Sequence, residues 1–113
     1  MSSPKDRLSA IQDTYNDALD NEPHDLAAAQ TAAEVTAIQE NVARTRNTYY
    51  AALAEALTND GPAVESAFEE AKKALKAVKK AREDSAAIPN LLTKLSSAAS
   101  AASSLLKAAN PSH

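Results

Sequence analysis

A single glycine stands among 113 residues, and cysteine and tryptophan are absent altogether. Each shortage excludes some chemistry. Phosphate loops, dinucleotide-binding turns and nucleophile elbows need several glycines, because the backbone must come close to a ligand or turn sharply there. The one glycine, Gly61, precedes Pro62 in the turn-like run Thr58 to Pro62. Without cysteine there is no disulfide, no thiol nucleophile and no constraint on redox compartment. Large apolar side chains are scarce too. Leu, Ile, Val and Phe number 19, about 17 % of the chain, below the roughly 20 % that marks disorder when net charge is high. Net charge is only −3, so ordered but lightly stabilised helices are expected, with self-association or a partner adding buried surface. The longest weakly charged run, between Lys94 and Lys107, has 12 residues and is rich in serine. A bilayer span needs about 20 apolar ones. The opening residues Met1 to Arg7 have no signal-peptide character, so a cytoplasmic location is expected, with signal-less export as the alternative.

What the chain has in quantity is alanine, 27 residues, the strongest helix former. The expectation is one all-α domain, an antiparallel bundle of three to four helices at about 4–20, 24–58, 62–86 and 89–108, with a disordered tail over 110–113. Ser3 as N-cap, Pro4 at the first helical position and Asp6 three residues after the cap mark the first start. Leu8, Ile11, Tyr15, Ala18 and Leu19 share its apolar face. In the second helix Val35, Ile38, Val42, Thr45, Tyr49, Ala52 and Ala56 form a 3-4 seam over roughly 50 Å of helix, its first turns weakened by an alanine run. Val64, Phe68, Ala71, Leu75, Val78, Arg82 and Ser85 continue the pattern in the third. The second and third helices are expected to form the central hairpin around Gly61-Pro62. Pro89 is expected to start a fourth helix, one kinked helix from Pro62 to Ala109 being the alternative. The fourth carries two apolar rows, one through Leu91, Leu95, Ala98, Ala102 and Leu105, the other through Leu92, Ala99 and Leu106. It is the segment least suited to solvent, and so is expected between two neighbours or two subunits.

Catalytic and metal-binding constellations are not found. No Glu-x-x-His pair is present for a di-iron bundle, and no acidic loop with a central glycine for calcium. The two histidines, His24 and His113, sit at a helix start and at the last residue, away from the serine-rich 96–104 stretch. Asp13, Asp17 and Asp20 share a helix face and read as a solvated acidic stripe. No cofactor, metal or small-molecule substrate is expected, and an enzyme is not the expectation. The Trp-x-Gly turn of small helical-hairpin export substrates is missing, so similar length alone establishes no resemblance to them.

Charge is unevenly divided. Residues 1–60 carry ten acids and four bases, net −6, and residues 61–113 five acids and eight bases, net +3. Lys72, Lys76, Lys79 and Lys80 form a stripe on the third helix within the basic run Lys72 to Arg82, a candidate contact for nucleic acid or an anionic membrane surface. Overall negative charge and the lack of an arginine–aromatic stacking set make nucleic acid the less expected partner. Conversely, Asp6, Asp13, Asp17, Asp20, Glu22 and Asp25 could mimic nucleic acid toward a basic partner. A third cluster, Arg44 to Tyr50, holds two of the three tyrosines and two of the four arginines, residue types enriched at binding hot spots. Arg46, Tyr49 and Tyr50 are the candidate partner-binding residues there, with Leu92, Ala99 and Leu106 as a second candidate row. The functional expectation is a non-enzymatic interaction module that self-associates or binds a partner protein by helix packing, the anion binder being the alternative.

Overall fold

The computed structural model describes residues 1–111, and these form five helices and no strand. They are α1 (Pro4–Asp20), α2 (Glu22–Ala28), α3 (Ala32–Ala54), α4 (Pro62–Glu83) and α5 (Ile88–Ala109). None is long and apolar enough to cross a membrane. Helix α1 starts at a full capping box: the Ser3 hydroxyl accepts from the Asp6 amide and the Asp6 carboxylate accepts from the Ser3 amide.

The expected second helix of 24–58 is in fact α2 and α3. Thr31 adopts extended geometry and accepts from the Glu34 amide at 3.1 Å, while the Glu34 carboxylate takes the Gln30 amide at 2.7 Å. Thr31-x-x-Glu34 is thus a helix start placed inside the alanine run. At the far end α3 stops at Ala54 because residues 55–60 exchange helical hydrogen bonds for tertiary ones. Leu57 is buried in the core, its carbonyl accepts from Arg7 Nη1 at 2.7 Å, and the Asn59 amide donates to the Ala109 carbonyl. The molecule is 42 Å in its longest dimension, shorter than a continuous 24–58 helix.

Helices α4 and α5 are separate, not one kinked rod. The turn closes with the Ala86 amide on the Ala81 carbonyl (2.9 Å) and the Ser85 amide on the Arg82 carbonyl (3.1 Å), the Schellman pattern, with Ser85 at φ 52° in the left-handed position glycine usually fills. This tight turn makes α4 and α5 the most extensively packed pair, and α3 barely approaches α4. The central hairpin expected between the second and third long segments is therefore replaced by α4–α5, with α1 and α5 as the inner pair and α3 and α4 flanking them. The extended link 55–61 carries the chain across the molecule instead of folding it back on itself. Asn110, expected in a disordered tail, is buried, and its carbonyl accepts from the Asn59 side chain. Residues 112–113, the end of that expected disordered tail with His113, lie outside the described residues.

Much of the core packs in two clusters. One gathers Ile11, Ala52, Leu57, Val64, Ala71, Ala102 and Leu105; the other gathers Val78, Ala81, Leu91, Leu95 and Ala98. The first row read on the fourth helix, Leu91 to Leu105, is buried throughout. Buried threonines are satisfied locally: Thr14 donates to the Ala10 carbonyl and Thr45 to those of Asn41 and Val42.

Two arginines clasp α1 to α4. Near the start of both helices, buried Arg7 donates to the Ser2 and Leu57 carbonyls and meets Glu65 at 3.4 Å. Near their ends, Arg82 Nη1 lies 2.7 Å from Asp17, while Nε and Nη2 grip both oxygens of Asp25 at 3.1 and 3.0 Å. The pairing of start with start and end with end makes α1 and α4 parallel. The short helix α2 exists in this arrangement to deliver Asp25, 1 % exposed, to that site.

Candidate interaction face

Tyr15 on α1 and Tyr49 and Tyr50 on α3 converge. Rings of Tyr15 and Tyr49 stack at 5.8 Å between centroids, Tyr15 meets Tyr50 edge-on at 6.3 Å, and Tyr49 and Tyr50 lie 6.0 Å apart. Such offset and edge contacts suit the aromatic quadrupole. Helix geometry explains the division of labour: residues one apart on α3 point about 100° apart, so Tyr49 leans onto the core while Tyr50 remains 56 % exposed. Burial, reinforced by the Tyr50 phenol, raises the Tyr15 hydroxyl above its usual pKa, and the nearby Arg46 charge opposes that shift.

Leu53 follows Tyr50 by three residues and Leu19 follows Tyr15 by four, so each extends its helix's contribution along the same face. They are 55 % and 42 % exposed. Apart from Met1, these two leucines and Tyr50 are the large hydrophobic side chains left exposed among the described residues. The face is therefore wider than Arg46, Tyr49 and Tyr50. Tyr15 and Leu19 belong to another helix, and the sequence does not state which helix lies against which; Leu53 lies on α3 itself. The Tyr50–Leu53 spacing was the available signal. Arg44 is not part of it, since its Nη2 reaches across to Ser100 on α5 at 3.0 Å.

The other candidates fare differently. Ala99 is fully buried inside the fold, and Leu92 and Leu106 are half-buried against the two core clusters. That row is spent on intramolecular packing because α5 is already covered by α4, α3 and α1. Lys72, Lys76, Lys79 and Lys80 are exposed, with Lys72 above the Phe68 ring at 5.1 Å and Lys80 paired to Asp84 at 3.3 Å. Arg82, read as the end of that basic run, points inward into its two carboxylates. The same pairing withdraws Asp17 and Asp25 from the acidic surface, and Asp17 from the solvated stripe, leaving Asp13, Asp20 and Glu22 outside both the clasp and the α1 cap. His24 is exposed, 3.2 Å from Asp25. Among the described residues no group of His, Cys, Asp or Glu is placed to hold a metal, and no buried side-chain nitrogen or oxygen lacks a partner.

No family model, curated protein or solved structure matches this chain.

Proposed function

We propose that the chain is a non-enzymatic protein-interaction module of the cytoplasm and that it meets its partner, another protein or a second copy of itself, through the tyrosine face of α1 and α3. The observation carrying this reading is the cluster of Tyr15, Tyr49 and Tyr50 with Tyr50 exposed, together with Leu53 and Leu19, exposed three and four residues further along the same two helices, when other large apolar side chains apart from Met1 are at least partly covered. Tyrosine and arginine dominate binding hot spots, because they bury a large surface at low entropic cost while retaining a polar end. The tyrosines are already held against one another, so less rotamer freedom remains to be lost on docking. A core built largely of alanine gives the isolated chain modest stability, which association would supplement.

The nucleic-acid or anionic-membrane reading has less support. Its basic run loses Arg82 to the interior and Lys80 to Asp84, and two of the six acids of the nucleic-acid mimic are buried in the same clasp. Salt separates the classes, since apolar docking tolerates it and phosphate contact does not. The direct test is the double variant Arg46→Ala/Tyr50→Ala. Its circular dichroism should match the parent while affinity for the partner falls at least tenfold. An unchanged affinity with intact helicity removes the tyrosine face from the mechanism.

A further inference from the structure

The opposite flank of α1 holds a second, independent feature. The arginine clasps join α1 and α4 at their ends, and the ten helical steps from Arg7 to Asp17 span about 15 Å. Between the clasps the helices leave two adjoining hollows of about 160 and 190 Å³, sharing Ala10, Asp13 and Lys72 in their walls. The floor is apolar. Ala10 and Ala71 form its base, and Leu75, on the seam of α4, belongs to neither core cluster and is half-buried beside it. The walls carry opposite charge. Lys72, Lys76 and Lys79 line the α4 side, and Asp6 and Asp13 the α1 side, both ladders running over seven helical steps or about 10 Å. No ion pair crosses the groove among the described residues, although the Asp6 carboxylate, which also accepts from the Ser3 amide of the α1 cap, feels the Lys72 charge.

We propose that this groove receives an amphipathic helix from a partner protein, with carboxylates facing Lys72, Lys76 and Lys79, cations facing Asp6 and Asp13, and a narrow apolar stripe over Leu75 and the alanine floor. A third helix suits a groove between two parallel helices, whose side-chain ridges it can enter. The alanines let its backbone approach closely. A polyphosphate fits worse, because it would meet the two aspartates and make no use of the apolar floor. Carboxylates spaced at i, i+4 and i+7 on one helix reproduce the spacing of the three lysines.

The test uses the full chain and two fluorescein-labelled helical probe peptides with the same leucine/alanine stripe. One has glutamates on one flank and lysines on the other; its counterpart has lysines on both. In fluorescence anisotropy the parent protein binds the glutamate probe at least tenfold more tightly than the lysine probe. The charge-swapped variant Lys72→Glu/Lys76→Glu/Lys79→Glu, altered only at exposed positions, inverts that order. Leu75→Asn, with unchanged circular dichroism, weakens the glutamate probe at least fivefold, and Tyr50→Ala/Leu53→Ala leaves it unaffected. Equal affinity for the two probes, an order that survives the charge swap, or the absence of saturable binding overturns the proposal. So does a dimer that the charge swap dissolves, which would assign the groove to a second copy. Binding to phosphatidylglycerol vesicles that ignores Leu75→Asn, with neither peptide bound, overturns it in favour of a lipid surface.

Discussion

Truncating Arg82 would leave Asp17 and Asp25 side by side without their cation, in a site where the Asp25 side chain is 1 % and the Asp17 side chain 8 % exposed. Breaking a buried pair by removing one partner costs about 3–5 kcal/mol, so Arg82→Ala should be among the most destabilising single changes in the chain. Urea unfolding followed by circular dichroism measures it. Lys79→Ala, three residues earlier but in solvent, should stay within about 0.5 kcal/mol of the parent. The other clasp predicts a pH effect. Hydrogen bonds from Ser2 foremost, then Arg7, hold the Glu65 carboxyl below its ordinary 4.5. A carboxyl depressed by folding stabilises the fold above its unfolded value, and that contribution is lost as pH falls through the folded one. The stability difference between the parent and Glu65→Gln should therefore be full at neutral pH and shrink as denaturation is repeated below about 4.5. A difference that stays constant with pH would assign Glu65 a packing role only.

At the scale of elements, two backbone positions carry opposite predictions. Gly61 has φ 112° and ψ 178°, a region open essentially to glycine alone, where other residues cost of order 1–3 kcal/mol. A Cβ added there would meet nothing within 4 Å, so any loss in Gly61→Ala is backbone strain, and thermal unfolding should show a loss of about that size. Ser85 sits in left-handed geometry without glycine's freedom, and Ser85→Gly should stabilise by about 1 kcal/mol. These turns also show what could be read from sequence. Ser3 to Asp6, Pro62 and Pro89 were legible as helix starts because capping and proline act locally. Thr31-x-x-Glu34 was equally local but lay hidden under the helix propensity of the alanines on both sides. The end of α3 was not legible: Leu57 and Asn59 leave the helix for Arg7 and Ala109, partners about fifty residues away. Helix pairing failed for a related reason. Gly61-Pro62 looks like a hairpin tip, yet the closest packing follows the tighter Schellman turn at Ser85. Of the candidate site, Arg46, Tyr49 and Tyr50 could be found on one helix, whereas Tyr15, Leu19 and the groove required knowing that α1 lies between α3 and α4.

Across the whole molecule, the charge division of the sequence is partly consumed by folding. The acidic first half supplies Asp17 and Asp25 and the basic second half supplies Arg82, so halves of opposite sign are joined along α1 and α4 rather than offered intact to a polyanion. What α1 leaves on its two flanks differs in kind: tyrosine, leucine and arginine against α3, and a charge-walled groove against α4. The first of these faces is the one proposed to hold a partner protein. Differential capture tests it most directly, using immobilised parent and Tyr50→Ala/Leu53→Ala proteins of equal helicity in extract from the native source, with recovered proteins quantified by mass spectrometry. At least one protein, a second copy of the chain included, should be recovered by the parent at ten times or more the level seen with the variant, and should remain bound in high salt. Equal recovery of every protein by the two baits would show that the tyrosine face holds no partner.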